Sequence, residues 1–476
     1  MTTAVVVGSG PNGLAAALTL AKADVDVTVL EAAPRIGGGT RSSELTLPGL
    51  LHDECSGFHP LSFETPFARL AELERHGLEW AWPDVQYSHP LGGESGAAAV
   101  RSVDDTADGL IGDERAWRQV FGPLVPRFGD IADDFLGPVL GVPSHPVKLA
   151  RFGLRAALPA TVLAKRFSSD EGRALFGGVA AHAMWPFRSV LSSAIGTALG
   201  TAAHTYGWPV AVGGSASITA AMARALEEHG GKIETDHPVR SVRDLDAPDL
   251  VLLDVAPGAA VDLVGDVMPS RYRSALGRFR HGPAVFKIDF AIEGGIPWSH
   301  DASRHAGTVH VSGDYTDTAA VESMVHRGEM PERPFVLVGQ QYLADPSRSK
   351  GDVHPVYSYA HVPAGFTGDA TAAIELQIER FAPGFRDRVV ARNVQTATDL
   401  SERNANIVAG DILTGANSPR QLVFRPRVGL DPYSLGVPGH FLCSAATPPG
   451  AGAHGMCGYN AAMSALRQHR SRAGGT

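Results

Sequence analysis

The stretch AVVVGSGPNGLAAALTLAKADVDVTVLEAAPRIGGGTRS, residues 4–42, decides how the rest of the chain is read. Ala4 to Val7 is a short apolar run of strand character that leads straight into Gly8-Ser9-Gly10-Pro11-Asn12-Gly13. An Ala/Leu-rich segment of helical composition follows, then a second apolar strand ending at Glu31, eighteen residues beyond Gly13. A G-x-G-x-x-G spacing gains meaning in such a strand–turn–helix–strand unit with an acid at its far end. Gly8 permits the tight turn, Gly10 lets backbone approach a pyrophosphate, and Gly13 lets helix and strand pack closely. The helix that starts at Pro11 then offers unpaired N–H groups from Asn12 onward and a positive dipole end to the phosphates. Glu31, followed by Ala32, suits a ribose hydroxyl pair and repels a 2′-phosphate.

The chain has 476 residues, enough for two to three domains and a large core. A net charge of −9 argues against a nucleic-acid partner, which needs a basic excess. Cys55, Cys443 and Cys457 form no CxxC pair, so a disulfide framework is not expected and a reducing, cytoplasmic setting fits. Residues 1–13 already read as strand and phosphate loop, so no signal peptide is expected ahead of the fold. The longest apolar stretch, around Gly177 to Ala203, is broken by Arg188 and is not expected to span a membrane. His52-Asp53-Glu54-Cys55 with His59 looks like a ligand set, but His52 and Asp53 face opposite ways on a strand and no second cluster completes it. No metal is expected.

Two features favour FAD over NAD. Just after Glu31, the run Gly37-Gly38-Gly39-Thr40-Arg41-Ser42 forms a second backbone cradle able to sit against a diphosphate or an isoalloxazine edge. Near the C-terminus, the strand around His440 opens into Pro448-Pro449-Gly450-Ala451-Gly452-Ala453-His454-Gly455-Met456, before a helix expected over Tyr459 to Arg467. Too few residues remain there for a second βαβ unit. The turn reads better as the closing piece of the first site, with N–H groups at Gly455 and Met456 aimed at charge developing on a reduced flavin.

These segments, together with SGFHPL (56–61), VGGSASITAAMARALEEHGGKI (212–233), NIVAGDI (406–412) and FRPR (424–427), resemble the FAD-dependent carotenoid (phytoene) desaturase family, which includes retinol saturase-like enzymes. Within it they are similar to the branch of pyridine nucleotide-disulfide oxidoreductase domain protein 2. The resemblance runs nearly end to end. It implies an α/β fold: a discontinuous Rossmann-like FAD-binding domain (1–82, 205–262 and 405–476) with an inserted α+β substrate domain (83–204 and 263–404). It also implies that the backbone of Val239 lies beside the adenine. The sequence departs from the family at Gly39, where many members place an arginine, leaving Arg41 as the candidate for that contact. It departs again between Val239 and Asp249, where no antiparallel excursion is apparent and a trimmed sheet is expected.

Residues 83–204 are expected to be mostly helical, and about 263–404 to alternate strands and loops. Between Phe135 and Ser169 stand five basic residues (Lys148, Arg151, Arg155, Lys165, Arg166) and no acid, interleaved with apolar ones. Such a segment can be a lid packed on the substrate domain or a peripheral membrane contact. In Val285 to Ile292 strict alternation puts Phe286, Ile288 and Phe290 on one face and Lys287 and Asp289 on the other. HGPAVFKIDFAIEGGIPW (281–298) resembles the strand on which related amine oxidases carry a lysine near flavin N5. Lys287 is therefore the first catalytic candidate, set against a plain pairing with Asp289. His59 and His454 are further candidates, on the pocket wall or as structural residues.

The expected chemistry is hydride transfer between flavin N5 and a C–C position of an apolar, polyene- or lipid-like small molecule. No second nucleotide domain for NAD(P)H is visible, so oxygen or a quinone is the expected electron acceptor. Flavin amine oxidation, a redox-neutral isomerase or cyclase, and a flavin-binding protein without turnover stand as alternatives. No aromatic pair to flank an amine is visible in the sequence.

Overall fold

The first strand and its glycine turn sit at the centre of a five-stranded, all-parallel sheet. Its order is His440–Leu442, Leu250–Leu253, Thr3–Val7, Asp26–Leu30 and Lys232–Glu234. The computed structural model describes residues 1–138 and 140–473. The apolar runs Val5-Val6-Val7 and Val27-Thr28-Val29-Leu30 become inner strands because a parallel sheet covered on both faces rewards continuous hydrophobicity. Strand order reverses between Thr3–Val7 and Leu250–Leu253, which pair with Val7 opposite Leu253. The carboxyl ends on either side of such a reversal are where doubly wound sheets bind ligands.

Helix Pro11–Ala21 starts with proline at its first position, where no N–H is needed, and is buried over almost its whole length. It lies between the sheet and two helices, Ala216–Glu228 and Met456–Ala473. Leu14, Leu18, Val6, Val27 and Val29 are fully enclosed in this layer, each contributing about 1.5–3 kcal/mol by burial. The C-terminal helix begins at Met456 rather than Tyr459 and continues to Ala473. His454 accepts the backbone N–H of Met456 at 3.1 Å, which caps the helix three residues before the expected start. Between Glu234 and Leu250 there is one short 3₁₀ turn, Val242–Asp244, and no strand, so the sheet lacks an antiparallel excursion.

A second, seven-stranded sheet runs in the order Val389–Gln395, Ala284–Glu293, Val353–Val362, Val336–Gly339, Ala306–Val311, Val85–Gly92 and Ser95–Ala99. Its pairs are antiparallel except Ala306–Val311 with Val85–Gly92. Within the mostly helical 83–204, residues 85–99 form strands: Gly92 and Gly93, both at positive φ, turn a hairpin there. Helices Tyr315–His326 and Thr371–Phe381 likewise interrupt the strands of 263–404. Phe286, Ile288, Phe290 and Ile292 pack together against Ile374, Ile378 and Phe381, as the alternation requires. The opposite face, carrying Val285, Leu337, Tyr357 and Tyr359, meets the helices Asp170–Ala181 and Ala160–Leu163. No described helix is long and apolar enough to cross a membrane.

Candidate functional site

At the carboxyl ends of the parallel strands, a cavity of about 970 Å³ reaches from the glycine turn to the second sheet. Its first end is formed by Val7, Gly8, Gly10, Pro11, Asn12, Glu31, Ala32, Gly38, Gly39, Thr40 and Arg41, with Val239 from the segment after Lys232–Glu234. All but Val7 are residues expected there from the sequence, and three distant pieces of chain bring them together; Gly13, also expected, is not part of this lining.

The glycines are dictated by what surrounds them. Gly8 has φ +101°, and a Cβ on Gly13 would stand 2.1 Å from the Gly8 carbonyl oxygen. No rotamer can relieve such a clash between backbones, so the turn and the helix start can close on each other only without side chains. Gly10 leaves equally little room, since its Cβ would lie 2.6 Å from Asp254 Oδ2. The Asn12 side-chain oxygen is buried with no hydrogen-bond partner among the described residues, on the cavity wall at the helix N-terminus. Glu31 accepts the Ser9 N–H at 2.8 Å and the Ala33 N–H at 2.9 Å, which fixes its carboxylate at the strand end. Arg41 lies 3.6 Å from Glu31 and donates to the carbonyls of Arg35 and Ile36, so it stands on the wall as a neutralised, anchored cation.

Asp254 was not read from the sequence. It follows the strand Leu250–Leu253, lines the cavity, and accepts the Gly13 N–H through Oδ2 at 2.9 Å. Burial, reinforced by the nearby charge of Glu31, raises its pKa from 3.8 to about 7. No local motif marks it, because its partner is 241 residues away.

The C-terminal turn closes the same cavity. Ala451, Gly452 and Ala453 line it, whereas Gly455 and Met456, expected on the wall, lie behind it. A Cβ on Gly455 would meet the Phe67 ring at 2.6 Å, and one on Gly458 would stand 1.8 Å from the Asn12 carbonyl oxygen. These two residues therefore seat the turn against the first helix, which is what brings residues 451–453 to the cavity. His454 is buried, accepts the Met456 N–H, and is held neutral by burial with its pKa lowered to about 4.

The other catalytic candidates also stand behind the wall. His59 is enclosed, its Nε2 bonded to Ser215 Oγ at 2.9 Å, and burial lowers its pKa to about 4. Lys287 is buried in an ion pair with Asp289, which also receives Gln395 Nε2 at 3.0 Å. The lysine ammonium lies 4.5 Å from the ring centre of Tyr357, and it is Tyr357 that reaches the cavity. The lysine thus pairs with Asp289, but inside the protein and one layer from the cavity.

The second-sheet end of the cavity is lined by Phe58, His182, Trp208, Thr308, Leu337, Tyr357, Tyr359, Ile412 and Leu413. Tyr357 and Tyr359 stand two apart on one strand, with ring centres 5.8 Å apart and nearly perpendicular planes. An aromatic pair is therefore present, supplied by a strand that the sequence reading did not connect to the site.

A parallel sheet with a glycine cradle at its reversal point, an acid at the end of the second strand and a separate chamber on a second sheet define a dinucleotide-dependent oxidoreductase. The chain belongs to the FAD dependent oxidoreductase family (DAO), whose match spans residues 3–264. It is 24% identical to mouse (Mus musculus) pyridine nucleotide-disulfide oxidoreductase domain-containing protein 2, over 98% of this chain and 93% of that protein. Its fold is similar to that of an oxidoreductase from Methanosarcina mazei (16% identity, TM-score 0.63, 98% of this chain and 100% of the other). It is also similar to putrescine oxidase bound to putrescine (19% identity, TM-score 0.61, 99% of each chain). FAD is the cofactor, and the clash-free cradle, the unpartnered Asn12 oxygen and the anchored Glu31 fit its diphosphate and ribose. When bound, FAD supplies two-electron chemistry at flavin N5.

Proposed function

We propose that this FAD-dependent oxidoreductase acts on a C–C bond of a neutral, largely apolar small molecule, in the direction of desaturation or saturation. The observation that carries this reading is the composition of the second-sheet end of the cavity. Its lining is aromatic and aliphatic with a few uncharged polar groups, while the charged residues of the cavity wall, Glu31, Arg41, Arg240, Asp254, Asp262, Glu402 and Arg403, belong to the segments of the glycine-turn end or adjoin Arg41. Lys287 and Asp289 neutralise each other behind Tyr357. Such a chamber aligns a C–H bond and excludes water while leaving a formal charge on the substrate without a counter-ion. The likeness of the chain to carotenoid desaturases, carried by its motifs from end to end, supports the same class. Oxygen or a quinone serves as acceptor, since the described residues hold a single parallel nucleotide-binding sheet.

One observation favours a second reading, oxidation of an amine: the Tyr357–Tyr359 pair on the wall offers ring faces to a cation. The face of Tyr357 already meets the Lys287 ammonium, which would repel a second cation there. Anaerobic mixing of the FAD-loaded protein with neutral polyenes and enones, and separately with primary and secondary amines, discriminates the two. Flavin bleaching by the neutral set alone is the expected result, and bleaching by amines alone overturns it.

A further inference from the structure

At the cavity's second-sheet end, His182 Nδ1 and the Thr308 hydroxyl have no hydrogen-bond partner among the described residues. His182 shares a 2.9 Å hydrogen bond between its Nε2 and His310 Nε2, and its Nδ1 has no partner among the described residues. His310 is fully buried, and its own Nδ1 also lacks a partner. Thr308, two residues before His310 on the strand Ala306–Val311, is 1% exposed, lines the cavity, and leaves its hydroxyl unpaired.

The pair His182–His310 has two tautomeric arrangements. In one, His182 donates from Nε2, and His310 must carry its proton on Nδ1, where a buried N–H finds no acceptor. In the other, His310 donates from Nε2, its buried Nδ1 is a bare lone pair, and His182 carries its proton on Nδ1. An orphaned buried N–H is rarer and costlier than an unused lone pair, so the second arrangement prevails. His182 then presents an N–H donor toward the cavity. Burial, with His361 nearby, lowers its pKa to about 3, so it donates as a neutral imidazole.

We propose that His182 Nδ1–H and the Thr308 hydroxyl together form a binding site for a carbonyl oxygen of the substrate. This makes the substrate class a neutral ketone or enone whose apolar body lies against Trp208 and Tyr359. The inference rests on the reading above, in which FAD occupies the glycine-turn end and the substrate occupies the second-sheet end. A carbonyl has two lone pairs and no proton, so it accepts from both groups at once. A carboxylate would enter without a cation to pair with, and an ammonium would meet an N–H donor.

The test uses FAD-loaded protein, its loading first checked by the visible flavin spectrum, and a series of aliphatic and cyclic ketones, including β-ionone. Each is paired with the matching hydrocarbon that lacks the oxygen. Two neutral hydrogen bonds predict that the best ketone binds roughly tenfold to a hundredfold more tightly than its hydrocarbon. Isotope-edited infrared difference spectra of the bound ketone should show its C=O stretch lowered in the wild type. In T308V and H182F the stretch should move back toward its value in an apolar solvent, and the affinity ratio should fall with it. H182N, which keeps an amide donor, should retain part of the lowered stretch. Equal binding of ketone and hydrocarbon, binding by no ketone of the series, or an unchanged C=O stretch in T308V overturns the proposal. A protein that takes up no flavin contradicts the underlying reading instead, and the absorption spectrum separates that failure from this one.

Discussion

Replacing Asp254 by Asn should make the protein more stable at alkaline pH, although the residue lies beneath the cofactor turn. The buried carboxyl accepts the Gly13 N–H, and burial with Glu31 raises its pKa from 3.8 to about 7. A raised acid pKa means the folded state holds the proton more tightly than the unfolded chain does. The resulting stability is full below pH 3.8, declines as pH rises, and is gone above about pH 7. The interval from 3.8 to about 7, at roughly 1.4 kcal/mol per pH unit, corresponds to about 4 kcal/mol across the whole window. Asparagine keeps an acceptor for the Gly13 N–H and has no charge to desolvate, so its stability lacks this slope. Buried neutral histidines such as His89 and His204 add a slope of their own, but they are common to both proteins and cancel in the difference. The stability difference between D254N and wild type should therefore widen in favour of D254N by about 3 kcal/mol between pH 5 and pH 8. Denaturant unfolding at fixed ionic strength and fixed FAD concentration measures it. Parallel stability curves for the two proteins, or a D254N that loses ground at pH 8, refute the reasoning.

Gly13→Ala should abolish flavin retention on gel filtration, because the new Cβ, 2.1 Å from the Gly8 oxygen, forces the turn and helix apart. A G13A protein that keeps one flavin per chain contradicts the assignment of the cradle. Lys287→Met should destabilise the fold by about 3–5 kcal/mol, since it leaves the Asp289 charge buried and unpaired. The double variant K287M/D289L should recover most of that in the same denaturation assay, and a double variant no better than the single one shows that the pair does not act as a unit. Gly458→Ala, whose Cβ would stand 1.8 Å from the Asn12 oxygen, should lower both thermal stability and FAD affinity, because residues 451–453 would no longer seat on the cavity. Unchanged FAD affinity by fluorescence titration counts against that coupling. Helix Pro146–Ala156 tucks Phe152 inward while Val147 and Leu154 remain 67% and 73% exposed beside Arg151, and none of its residues lines the cavity. The outer face is expected to retain the protein on anionic vesicles at low salt, with L154E releasing it in a co-sedimentation assay. Equal sedimentation of the two proteins rules that face out.

The cofactor end was largely legible because its information is local. Glycine spacing, the intervening helix and Glu31 lie within forty residues of one another, and each choice is forced by backbone clearance that leaves a compositional trace. The alternation Phe286, Ile288, Phe290 was legible for the same reason: a period of two needs only neighbours. The chamber was not legible, because its wall is assembled from side chains on unconnected elements. His182 ends one helix, Thr308 and His310 sit on a strand, and Tyr357 and Tyr359 sit on another. The hairpin over residues 85–99 was hidden by Pro90, Gly92, Gly93 and a run of small residues, which lack the β-branched signature of a strand. Gly455 and Met456 show the same boundary: the sequence identified the turn, but which of its residues face the cavity depends on how Gly458 meets Asn12.

The measurement closest to the central claim is the flavin content of the purified protein, read from its visible absorption after denaturation in the presence and absence of added FAD. The account predicts one FAD per chain, with the adenine-linked form retained in preference to FMN. A protein that stays colourless through titration with FAD contradicts it.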